Sequence, residues 1–212
     1  MRTEDIPQVA EIERESFPTS WPSTPFKREL SNRLARYLVA CVPLLGDTPG
    51  DAVIERTTAM PPALLSRILT GLRRLFGSAP RKSRPATDLI VGYVGIWFMT
   101  DEAHITSIAV HEEYRRMGLG DLLMLAAVEL SMARKARLMT LEARVSNVGA
   151  HALYEKYGYR KVGLRKSYYM DNKEDAVIMS TDPIMSPGYQ VLYSSLLDAF
   201  RERRGEAVWT LA

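Results

Sequence analysis

Apolar positions along the chain switch between a helical and a strand period, and their order predicts most of the elements. Over residues 5–17, Ile6, Val9, Ala10 and Ile12 recur at helical spacing, with Asp5 able to cap and Pro7 suited to a first turn. Ser-Phe-Pro-Thr-Ser-Trp-Pro (16–22) breaks that helix into a loop with two aromatics. A short helix is expected from Ser23 or Thr24, with Pro25 at its first position. Residues 37–42, 89–99, 104–110 and 138–145 read as strands. Residues 118–134 read as a helix buried along Leu119, Leu122, Leu123, Ala126, Ala127 and Leu130. A further helix over 147–157 ends at Gly158, strands follow near 161–170 and 175–180, and an amphipathic helix covers about 189–203. Strands and helices alternate in the centre and a strand pair follows, which predicts an α/β layered fold around a mixed sheet.

The stretch 43–88 departs from this pattern. Gly46, Pro49, Gly50, Pro61, Pro62, Gly71, Gly77, Pro80 and Pro85 punctuate it. Inside it, 63–76 has leucines on one helical face and Arg67, Arg73 and Arg74 on the other. The expected organisation is one domain over 1–182 with an insertion at about 43–88, then a helical extension over 183–212.

Composition adds boundaries. The chain of 212 residues carries a net charge of +3, too small to identify a partner. The single cysteine, Cys41, excludes an internal disulfide and fits a reducing compartment, and its strand position reads as an inert core thiol. No apolar run approaches the roughly 20 residues that span a bilayer, and the acidic start does not suit a signal peptide. The expectation is a cytoplasmic monomer with no transmembrane segment. His104, His111 and His151 lack ligand spacing, so no metal is expected.

The sharpest chemical signal is Tyr114-Arg-Arg-Met-Gly-Leu-Gly120, between a strand and an amphipathic helix. A helix start offers unpaired N–H groups and the positive end of the dipole. Gly118 and Gly120 let an anion approach closely, and Arg115 and Arg116 add charge. This makes either a diphosphate cradle or a tight turn beside a basic pair.

The run from His104 to Gly120 resembles the acetyl-CoA signature of the GNAT acetyltransferases. Leu141-Glu-Ala-Arg-Val-Ser-Asn147, Ala152-Leu-Tyr-Glu-Lys-Tyr-Gly-Tyr159, Ser167-Tyr-Tyr169 and Glu174-Asp-Ala-Val-Ile-Met179 resemble its RimI/Ard1 branch, which acetylates protein N-termini. The resemblance implies a splayed mixed sheet flanked by helices, with acetyl-CoA as co-substrate. The pantetheine arm would pair with Ile108, Ala109 and Val110, and the phosphates would sit on Arg115, Arg116, Met117, Gly118, Leu119, Gly120 and Asp121. Asn147 would contact the arm. Glu142 matches the branch's general base, Tyr154 the acid that protonates the departing thiolate, and His104 a histidine sharing base duty. Phe17 and Trp21 match one peptide-binding loop, and Tyr168 and Tyr169 the other. Without the resemblance, Glu142 and His104 also fit solvent-facing strand positions, and Tyr154 a core position. The implied partner is a protein N-terminus, with association to the ribosome; lysine or small-molecule amine acetylation and a silent acetyl-CoA-binding subunit are the competing readings. The family's first strand is short or missing here.

Overall fold

The computed structural model describes residues 1–17, 23–42 and 89–204. The segment 43–88, where a basic amphipathic helix is expected from sequence, lies outside the described residues, as does Trp21. Two helices, α1 (Ile6–Ser16) and α2 (Phe26–Ser31), precede strand β1 (Ala35–Val42). Then come β2 (Leu89–Met99), β3 (Glu102–Val110), α3 (Leu119–Ala133), β4 (Leu138–Arg144), α4 (Val148–Lys156), β5 (Arg160–Arg165), β6 (Ala176–Ser180) and α5 (Pro187–Arg204). Among the described residues the sheet has the order β1-β2-β3-β4-β6-β5. Its one parallel pair is β3–β4, the pair joined through the crossover helix α3.

Each face of the sheet has its own core. On one, α3 lies almost wholly buried, as its near-continuous apolar sequence requires, against Val94, Ile96, Ile105, Met139 and Leu141. The helix α5 covers the same core with Tyr189 and Phe200, and the Tyr189 hydroxyl donates to the Tyr157 carbonyl at 3.0 Å. On the other face, Val9 and Ile12 of α1 and Phe26 of α2 pack on Tyr37 and Tyr93. The Phe26 ring stands edge-on to both tyrosines, with centroids 5.6 and 5.9 Å away. Two buried carboxylates tie this layer down. Glu13 accepts the Thr24 N–H at 3.0 Å and also its hydroxyl, and Glu29 accepts the Trp97 indole N–H at 2.6 Å.

One irregularity in β3 shapes everything near its end. Gly95 pairs with Ser107 but Ile96 pairs with Ile105, so Thr106 is an extra residue, a β-bulge. Before it, odd residues Ala103 and Ile105 face the α3 core; after it, even residues Ile108 and Val110 do. Opposite the bulge, a Cβ on Gly95 would lie 2.6 Å from Tyr37 Cε1 and 2.8 Å from Thr106 Oγ1. Neither neighbour yields cheaply, since Tyr37 is packed by Phe26. Gly95→Ala is therefore expected to destabilise the protein by about 1–3 kcal/mol, seen as a melting temperature several degrees lower in calorimetry. An unchanged melting temperature would contradict the packing described.

Several element ends differ from the sequence pattern. Asp5 precedes α1 without capping it: its carboxylate accepts the Arg2 N–H at 2.7 Å, closing the preceding 3-10 turn. Pro25 sits at the N-cap of α2 rather than inside it. The strand expected over 161–170 stops at Arg165, and Ser167 adopts φ +50°, turning the chain before Tyr168.

Candidate active site

The parallel pair β3–β4 holds together only between Glu102–Ile105 and Leu138–Leu141. Beyond these residues the strands run on to Val110 and Arg144 without pairing to each other. The β4-facing backbone of Thr106–Val110 is thereby left open to a peptide-like guest. This is the wedge expected to take the pantetheine arm along Ile108, Ala109 and Val110, and the two amides of such an arm suit an open strand edge.

At the closed end of the wedge, period-two alternation puts four polar side chains on one sheet face. Ala103, Ile105, Met139, Leu141 and Ala143 fill the α3 core, so Glu102, His104, Thr140 and Glu142 project the other way. His104 and Thr140 are register partners, with Nδ1 and Oγ1 2.8 Å apart. The Thr140 hydroxyl donates to Glu102, which leaves its oxygen to accept from His104 Nδ1–H. The other ring nitrogen, Nε2, lies 3.1 Å from Glu142 Oε2. Arg165 of β5 donates its Nε–H to the second carboxylate oxygen at 2.9 Å. The Glu142 side chain is 9% exposed. Its hydrogen bond with His104 holds the carboxyl below the usual glutamate range, with help from the charges of His104 and Arg165 and against the effect of burial.

Tyr154 projects from α4 into the core on the opposite face. Burial, and secondarily the nearby Tyr169, push its hydroxyl above the usual tyrosine range. It therefore keeps its proton and can donate a hydrogen bond. Among the described residues the Tyr154 hydroxyl has no recorded partner. Candidate base and candidate acid thus approach the wedge from the two sides of the sheet.

The loop expected to hold phosphate ends at Gly118, the N-cap of α3, with φ +83°, a conformation costly for any residue with a side chain. Arg116 is also left-handed, φ +62°, and exposed. The residues fit an anion there, with distinct parts. Leu119 is buried and Met117 half-buried, so these two, with Gly118 and Gly120, can offer only backbone. Arg115 is turned back, its Nε donating to the Val110 carbonyl at 3.1 Å. The Asp121 carboxylate is held by Lys156 and accepts from the Tyr157 hydroxyl at 3.1 Å, which leaves its N–H as its contribution. Asn147 caps α4, its side-chain oxygen accepting the Ala150 N–H at 3.1 Å, so only its amide N–H2 is available to a guest.

The aromatic pair divides in two. Tyr169 is 9% exposed and sits under the Arg144 guanidinium, 3.9 Å from its ring centre; burial pushes its hydroxyl up to about 12. It buttresses the turn. Tyr168, edge-on to Tyr169 at 5.2 Å, is the exposed member of the pair, at 38%. Phe17 is half-buried against the α1–α2 core.

The model of the acetyltransferase (GNAT) family matches residues 65–159. A Bacillus subtilis protein provisionally named a ribosomal protein bS18-alanine N-acetyltransferase is 38% identical over 180 residues, 84% of this chain and 90% of the relative. The chain belongs to the GNAT acetyltransferases. An N-alpha-acetyltransferase of Sulfurisphaera tokodaii is 30% identical over 180 residues, 88% of its length. The fold is that of the Escherichia coli ribosomal-protein-S18-alanine N-acetyltransferase, with a TM-score of 0.59 at 23% identity over 88% of this chain and 92% of that one. As a GNAT enzyme the protein uses acetyl-CoA. In this GNAT site the family resemblance points to His104 and Glu142 but not to Arg165, Thr140 or Glu102. The last two were readable in principle, since positions 102, 104, 140 and 142 share one strand period.

Proposed function

We propose that the protein transfers acetyl from acetyl-CoA to the N-terminal α-amine of a protein, with an alanine-first ribosomal protein as the substrate class. The supporting observation is the similarity, over 84% of the chain, to enzymes named for N-terminal acetylation of bS18 alanine and of protein α-amines. The site accounts for the chemistry. An α-amine titrates at about 7.7–8.0 while the Glu142 carboxyl is held below the usual glutamate range, so stripping an ammonium directly is uphill. The neutral amine is therefore the form that attacks. Once its nitrogen is bonded to the thioester carbon, its proton becomes far more acidic, and Glu142 can take it at little cost. His104 holds the carboxylate in place by donating its Nε2–H to it, with Thr140 fixing the ring. Tyr154 hydrogen-bonds to the sulfur as its bond to carbon breaks and passes it a proton, which it regains from solvent as Glu142 gives one up. Tyr168 lies near enough to Glu142 for the carboxylate's charge to raise its hydroxyl further, after burial, and it flanks the entering peptide.

The test is free-CoA release with short peptides beginning Ala, Ser or Met, and with an acetyl-blocked Ala peptide, each carrying one internal lysine. Turnover is expected on the free N-termini and none on the blocked peptide. Equal turnover on the blocked peptide would move the acceptor to lysine.

A further inference from the structure

We propose that Arg204, in the last turn of α5, is a phosphate ligand for acetyl-CoA. The proposal rests on the reading of the 115–121 loop as the diphosphate cradle. The inward positions of α5 recur every three or four residues: Tyr189, Tyr193, Leu196 and Leu197, then Phe200. The next position in that stripe is 204, where the sequence places an arginine instead of a core residue. Its neighbours in the last turn have local partners. Arg201 pairs with Asp198 at 3.3 Å, and Arg203 donates to the Ala199 carbonyl at 2.9 Å. Arg204 is half-buried and reaches across to the loop, with Nε 3.2 Å and Cζ 3.7 Å from the point where a Cβ on Gly118 would lie.

That position is electrostatically unusual for a cation. Gly118 opens α3, so the guanidinium stands at the positive end of a 15-residue helix. Arg116 is close in sequence, and Asp121, the acid of the first helical turn, is taken by Lys156 and Tyr157. Among the described residues neither Arg116 nor Arg204 has a recorded hydrogen bond or ion pair. A guanidinium set against a helix N-terminus, with the exposed Arg116 two residues before Gly118, makes a cradle balanced by an anion. A guanidinium fork matches phosphate oxygens two at a time. The helix is not loose enough to be there by chance, since Tyr189 and Tyr193 bond α5 to Tyr157 and Glu129. The segment beyond the matched family region thus delivers a binding residue to the family's site.

The experiment is calorimetric titration of the full chain with acetyl-CoA, 3′-dephospho-acetyl-CoA and S-acetyl-pantetheine, for wild type, Arg204→Ala, Arg204→Lys and Arg116→Ala. Arg204→Ala is expected to weaken acetyl-CoA about tenfold or more, the usual loss for a charge-assisted hydrogen bond. Arg204→Lys, which keeps stem and charge, loses less and retains a measurable readout should the alanine variant fold poorly. The affinity for S-acetyl-pantetheine, which has no phosphate, should not move. Retention of the effect with the dephospho compound assigns Arg204 to the diphosphate, and its disappearance assigns it to the 3′-phosphate. Unchanged acetyl-CoA affinity in both Arg204 variants, with Arg116→Ala weakened, overturns the proposal alone. Unchanged affinity in all three overturns it together with the cradle. Equal weakening of the pantetheine compound also overturns it, since the arginine would then act only through packing.

Discussion

Glu142→Gln is expected to lower kcat on a free N-terminal peptide by about a hundredfold or more, the usual range for removing a positioned base. The amide keeps the shape and can still meet His104 and Arg165, so the fold and acetyl-CoA binding should be preserved. What it cannot do is accept the proton released when nitrogen bonds to carbon. The pH profile sharpens the test. Because the Glu142 carboxyl is held below the usual glutamate range, it stays ionised throughout the near-neutral region and loses its charge only as pH falls beneath that range. The rise of kcat/KM with pH should therefore follow the substrate amine, levelling near 8. A wild-type profile flat above pH 5, or a glutamine variant within threefold of wild type, would remove Glu142 from the role proposed.

Tyr154→Phe is expected to cost kcat about tenfold to a hundredfold with little change in the affinity for acetyl-CoA. The loss would come from the departing sulfur, which forfeits its hydrogen-bond donor in a buried place. Stability should hardly move. The hydroxyl makes no hydrogen bond among the described residues and is not one of the sealed, unpaired oxygens, so deleting it leaves the core of Tyr154, Tyr157 and Tyr159 about as stable. The combination discriminates: a lower melting temperature with unchanged kcat would make Tyr154 a core residue only. Both measurements use the same preparation, a thermal melt and a steady-state assay.

Most of the architecture was readable because the apolar periods are strong and the elements long. The helix over 118–134, with its leucine and alanine stripe, and the strands over 89–99 and 104–110 emerge within a residue or two. The roles of Asp5 and Pro25 at their helix starts were not readable. Several local hydrogen-bond patterns compete at such positions, and the tertiary context of Arg2 and Phe26 selects one. Tyr168 and Tyr169 are equivalent in sequence, yet a turn at Ser167 sends one under Arg144 and the other outward. His104 and Glu142 came from resemblance. Their joining to Thr140, Glu102 and Arg165 depends on strand register, which a single sequence does not encode locally. In sequence Arg201, Arg203 and Arg204 form one basic helix end, and only the packing of α5 separates Arg204 from the other two.

The extra residue at Thr106 acts on β3 as a frameshift acts on a reading frame. Upstream of it the α3 core takes the odd-numbered side chains; downstream it takes the even-numbered ones, and odd-numbered Ala109 joins the core on the other face. Deleting Thr106 would leave every side chain chemically intact, yet would turn Ile108 and Val110 away from the α3 core and bring Ala109 into it. Length between His104 and Val110 is therefore under tighter constraint than composition. Variation in this strand is expected to proceed by replacement, never by gain or loss of a residue.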